Sequence, residues 1–166
     1  MSQASNDRAR WVPCDSRSDM QARTAGLPVI DTLETADANE WGYLQWDDGR
    51  CLQVGYADIG LAPQATASND DIVVGINECL VAYRRADGAR HFSYRMPFIF
   101  HEFLRTGDPL IARDELGFVG LAPDGAEKWS FFTTGPIARC TLTATHIDGE
   151  TVEGEAFSFA LPAQAS

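Results

Sequence analysis

From Leu27 onward the chain sets short apolar runs between tight polar turns, and its repeat is that of strands. Ile72-Val-Val-Gly-Ile76, Cys79-Leu-Val-Ala-Tyr83 and Arg90-His-Phe-Ser-Tyr94 are separated by turns at Asn77-Glu78 and Ala86-Asp-Gly88, which predicts an antiparallel meander. The same plan returns in Pro109-Leu-Ile-Ala112, Gly117-Phe-Val-Gly-Leu121 and Lys128-Trp-Ser-Phe131, with turns at Asp114-Glu115 and Pro123-Asp-Gly125. An Asp-Gly turn also joins Trp41–Trp46 to Arg50–Val54, a hairpin signal of the same kind.

The two meanders correspond residue by residue. With Gly88 set on Gly125, Phe92 falls on Trp129 and Tyr94 on Phe131; upstream, Leu80–Tyr83 falls on Phe118–Leu121 after one extra residue. A period of about 38 residues is that of a propeller blade. An apolar strand, a short turn, a second strand, Asp-Gly and an aromatic four residues on resembles the blades of PQQ-type and WD-like β-propeller repeats. In those families the aromatic packs between neighbouring blades, a role the resemblance implies for Phe92 and Trp129. It covers residues 72–94 and 110–132 firmly. The hairpin around Asp48-Gly49 and the segment Cys140–Phe159 read as candidates for degenerate third and fourth units, neither of which keeps the aromatic spacing. A closed propeller needs about four four-stranded blades, so the expectation is an all-β fold of antiparallel meanders, arranged as a small sandwich or open curved sheet. Quinone binding belongs to full rings of such blades, and no cofactor is expected here.

Between the units, Met96–Leu104 is apolar without alternation, so it reads either as a buried connecting strand or as one or two helical turns over 98–105. Residues 1–26 mix Ser, Asp, Arg and Ala without period and read as a loosely ordered extension of a single β domain spanning 27–162. The N-terminus carries no apolar run, so neither signal peptide nor membrane anchor is expected and the cytoplasm is the expected location.

Across its 166 residues the chain is 45% hydrophobic and 22% charged, the balance of a globular domain. Thirteen Lys and Arg against 24 Asp and Glu leave a net charge of −11, spread along the sequence. A field of that sign argues against nucleic acid and anionic membranes and in favour of a basic protein partner. The four cysteines show no CxxC or Cys/His ligand spacing, and no Asp-rich calcium loop is present, so no metal site is expected.

Catalytic motifs are absent: no GxSxG, no P-loop, and no second His to complete an HExxH. His101 and Glu102, the one adjacent histidine and carboxylate, are the weak candidates for acid–base work, and in a regular strand they point to opposite faces. Phe98, Phe103, Phe131 and Phe132 are the candidate binding residues. Phe131 and Phe132 are neighbours, so within a strand one of them faces away from the core. These features favour a non-enzymatic binding protein that meets a protein partner through an acidic surface or sheet edge; by composition alone, a bacterial immunity-type or inhibitor protein is a narrower form of it. The alternatives are a ligand-binding or enzymatic pocket lined by Phe98, His101, Glu102 and Trp129, and a β module that self-assembles into a ring.

Overall fold

The computed structural model describes residues 9–164; residues 1–8, the first part of the expected loose extension, lie outside them. The strands form four small sheets. The first contains β1 (Arg10–Cys14), β2 (Val29–Glu34), β3 (Glu40–Gln45) and β4 (Cys51–Tyr56), side by side as β1-β3-β4-β2, with helix α1 (Arg17–Thr24) between β1 and β2. The second contains β5 (Gln64–Ser68), β6 (Asp71–Ile76), β7 (Cys79–Arg84) and β8 (Arg90–Arg95). The third is β9 (Phe100–Arg105), β10 (Leu110–Asp114), β11 (Gly117–Leu121) and β12 (Glu127–Phe132). The fourth has three strands, β13 (Ile137–Leu142), β14 (His146–Thr151) and β15 (Ala156–Ala160). The protein is therefore all-β, built of blade-like antiparallel sheets in which β2, running parallel to β4, is the exception.

The repeat seen in the sequence extends to the hydrogen-bond register. In the second sheet Ala82 faces Phe92 and Tyr83 faces Arg90, with a bulge between them. In the third, Gly120 faces Trp129 and Leu121 faces Glu127, with the bulge at the same step. Each Asp-Gly turn ends on a glycine in the left-handed region, Gly88 at φ 73° and Gly125 at φ 85°, where a Cβ would be strained.

Alternation along the middle strands explains how the sheets stack. On β6, Ile72, Val74 and Ile76 join Leu44, Leu52 and Val54 of the first sheet, while Val73 turns the other way to Leu110, Ala112 and Val119 of the third. On β10, Leu110 and Ala112 face the second sheet and Ile111 faces Ile137 and Ile147 of the fourth. A strand covered on both faces reads as a continuous apolar run, which is why every residue of β6 is buried.

Two regions differ from expectation. Residues 98–105 carry no helix: β9 is a strand paired with β10, and Phe100 N–H donates to the Asn77 carbonyl at 2.7 Å. Residues 10–24, read as part of the loose extension, form β1, which pairs with β3, and α1. Ser16 caps the helix, accepting from Asp19 N–H at 3.1 Å, and Asp19 accepts in return from Asp15 N–H at 3.0 Å. Met20 inserts beside Cys14, Tyr43 and Cys51 and closes the outer face of the first sheet.

Candidate interaction face

At one end of the sheets the connections are tied together by main-chain hydrogen bonds. Met96 N–H donates to Glu78 at 2.7 Å, Glu115 N–H to Ile99 at 3.1 Å, Thr133 N–H to Leu116 at 2.8 Å, Ile137 N–H to Glu115 at 3.0 Å and Val152 N–H to Pro136 at 2.7 Å. Asn77 extends the chain to the first sheet: its side chain accepts from Ala57 N–H at 3.0 Å and lies 3.1 Å from the Thr35 hydroxyl. Loops from all four sheets thus form one continuous face.

That face exposes large apolar groups. Phe98 is 37% exposed and Phe132 48%, and their rings meet edge to face with centroids 6.2 Å apart. Ile99, the neighbour of Phe98, turns the other way into a cleft of about 440 Å³ that it lines with Leu33, Ala57 and Ile59. Val152, in the turn of the fourth sheet, is 67% exposed. Carboxylates surround these groups. Glu34, Asp37 and Glu78 line the cleft, and Glu115, Glu153 and Glu155 are exposed on the adjoining loops. Two are paired with exposed arginines, Glu34 with Arg17 at 3.2 Å and Glu78 with Arg95 at 3.6 Å.

The four candidate phenylalanines divide into two pairs. Phe98 and Phe132 come together on the surface. Phe103 packs on Phe100 at 4.7 Å, and Phe131 stacks on Phe159 at 4.5 Å in the junction between third and fourth sheets. The adjacency of Phe131 and Phe132 decides the split, because β12 sends one side chain to each face.

His101 and Glu102 do converge, and the group they meet is Arg113. Its guanidinium donates to His101 Nδ1 at 3.2 Å and forms an ion pair with Glu102 at 3.2 Å. Opposite faces, the expectation for a regular strand, do not apply because the β9–β10 register shifts between Arg113 and Asp114. Burial, and then the Arg113 charge, hold the His101 pKa below its ordinary value, so the ring is the neutral acceptor. The Arg113 side chain is only 11% exposed, and among the described residues its buried Nε has no hydrogen-bond partner. Nothing in the local pattern singles out Arg113, since only strand pairing sets it opposite Glu102. Trp129 lies elsewhere, against Phe159 at 5.2 Å and over Gly120, so it does not share a cavity wall with Phe98.

Among the described residues no three His, Cys, Asp or Glu side chains gather as a metal-ligand set, and no helix is long and apolar enough to cross a membrane. No protein-family model and no curated protein sequence matches the chain. Similar solved structures include the computationally designed Ika4 protein, at TM-score 0.51 and 6% identity, over 79% of this chain and 90% of that one. BamB from Moraxella catarrhalis gives TM-score 0.49 at 12% identity, over 76% of this chain and 41% of BamB. BBS1N, solved in complex with ARL6DN, gives 0.46 at 14% identity, over 77% of this chain and 49% of that one. The chain thus spans less than half the length of the latter two, both β-propellers. What this protein shares with the Ika4 structure is its fold.

Proposed function

We propose that the protein is a non-enzymatic binding module that docks a basic protein partner on the loop face, with Phe98 and Phe132 as the anchors. The observation that carries this reading is the exposed edge-to-face Phe98–Phe132 pair beside a carboxylate-lined cleft. Aromatic side chains at the centre of a contact supply most of its energy, and surrounding charges set partner choice and encounter rate. A net charge of −11 makes a positively charged partner the complementary one. A basic enzyme or toxin held inactive by this face is the narrower form, in the manner of an immunity or inhibitor protein. Arg113 fills the ground between His101 and Glu102, which favours a structural role for that pair over acid–base work.

The test is co-purification from source cells with the wild-type chain and with F98S/F132S, followed by titration of the partner obtained. A basic partner is expected, bound at least about tenfold more weakly by the double variant and more weakly as salt rises. A partner held equally by both forms, or one of acidic character, overturns the proposal.

A further inference from the structure

The fourth sheet is one strand short of the other three, and main-chain bonds show which strand. Phe100 N–H, at the start of β9, donates to Asn77 in the β6–β7 turn at 2.7 Å; Ile137 N–H, at the start of β13, donates to Glu115 in the β10–β11 turn at 3.0 Å. β13 therefore holds the first place in its sheet, as β9 does in the third, and β14 and β15 hold the next two. Among the described residues no strand takes the place that β8 and β12 fill.

The outer side of β15 is consequently an open edge. Thr151 N–H donates to the Glu155 carbonyl at 2.9 Å and Leu161 N–H to Thr145 at 2.8 Å. Glu155, Phe157, Phe159 and Leu161 thus turn their main-chain groups to β14, and Ala156, Ser158 and Ala160 turn theirs outward. All three are exposed. Sheet edges are ordinarily blunted by charge, proline or a bulge. β8 begins and ends on arginine, β12 begins Glu-Lys, and a bulge interrupts the ladder of each. β15 is Ala-Phe-Ser-Phe-Ala, uncharged, with an unbroken ladder to β14.

The strands that fill this place elsewhere define what fits it. β8 sets Phe92 opposite Ala82 and β12 sets Trp129 opposite Gly120, each with a second aromatic two residues on, Tyr94 and Phe131. On β15, whose Phe157 and Phe159 face the third sheet, the outward positions are again small, Ala156, Ser158 and Ala160. Charge narrows the choice further. Residues 137–160 hold Asp148, Glu150, Glu153 and Glu155 against Arg139 alone, so the complementary strand is basic. A second copy would bring its own charge of −11 to the contact, and residues 1–8 contain no aromatic.

We propose that the β15 edge takes up an extended segment of a basic partner protein as its fourth strand, with aromatic side chains at alternate positions laid over Ala156, Ser158 and Ala160. Main-chain bonds hold a segment added in this way, and its alternate side chains select it. The edge is separate from the loop face and is tested without it.

The probe is a synthetic peptide of residues 89–95, Ala-Arg-His-Phe-Ser-Tyr-Arg, which has this pattern. It is titrated into the full chain while amide exchange is followed by NMR. Saturable binding is expected, with exchange slowed at Ala156, Ser158 and Ala160. S158P and A160P each remove one outward N–H and none that bonds β14, a change an edge strand tolerates. Each is expected to weaken binding about tenfold or more, with the thermal midpoint checking that the fold is kept. A peptide with serine in place of both aromatics is expected to bind about tenfold more weakly or worse, a comparison that leaves the protein unaltered. No saturable binding, equal binding of the two peptides, or equal binding by folded S158P and A160P overturns the proposal. Protection of the same three amides that rises with protein concentration in the absence of peptide assigns the edge to a second copy and overturns it as well.

Discussion

Gly120 shows how much a single position decides. The Trp129 indole lies across it, and a Cβ there would overlap the ring. In the other copy Ala82 faces Phe92, and Phe92 packs instead on Gly125 of the next sheet. The aromatic four residues after Asp-Gly is legible in the sequence because its spacing repeats; the small residue beneath it has meaning only once the strands are paired. The same limit hides Arg113. His101 and Glu102 attract attention as neighbours in sequence, whereas their partner lies across a bulge that no local pattern announces. His101 carries a pH prediction. Burial first and Arg113 second lower its folded pKa, so the unfolded chain binds the proton more readily. Its contribution to stability is whole above the ordinary histidine value of about 6.5 and fades as pH falls from there toward the lower folded value. Thermal melts of H101N are expected to lose less stability than the wild type over that interval; parallel curves would assign the acid sensitivity to other groups.

Elements with strong apolar runs are legible in the sequence, and those without are not. Units 72–94 and 110–132 correspond to β6–β8 and β10–β12. The strand that opens each of these sheets is harder to recognise: β5 is Gln-Ala-Thr-Ala-Ser, too small and polar to stand out, and β9 lacks alternation. Helix α1 buries only Met20 and Thr24 among its eight residues, so it has no stripe to recognise. It forms because its start is capped and because the first sheet offers an apolar face to cover. Met20 is 1% exposed, and M20A is expected to lower the unfolding free energy by about 2–4 kcal/mol, read as a shift of the urea midpoint. An unchanged midpoint would show that α1 covers that face without stabilising it.

At the scale of the molecule, the two ends of the stack are closed to further apolar packing. The first sheet lies under α1, and the outward positions of the fourth carry polar or small side chains: Arg139 pairs with Glu150 at 2.6 Å, Ser158 with Asp148 at 2.5 Å, and Ala156 and Ala160 flank Ser158. Core clusters join sheets one to two, two to three and three to four, and among the described residues none joins four to one. Terminal units of repeat proteins are capped in this way. Ring assembly by stacking of end sheets therefore has little apolar surface to drive it among the described residues, and light scattering is expected to return the 18.2 kDa mass of one chain. A stable multiple of that mass would mean the end faces do associate.

Strands β6 and β10 each contribute side chains to two cores, so loosening either one strips support from both neighbours, while loosening an outer sheet strips it from one. Opening should begin at the ends and reach the centre last. Phe98 sits in the link between the two central sheets, and Phe132 closes the last strand of the third. Both anchors are thus attached to the central sheets, and the Phe98 N–H is held by the Asp114 carboxylate at 3.3 Å, so the framework beneath them is ordered before a partner arrives and less of its ordering opposes binding.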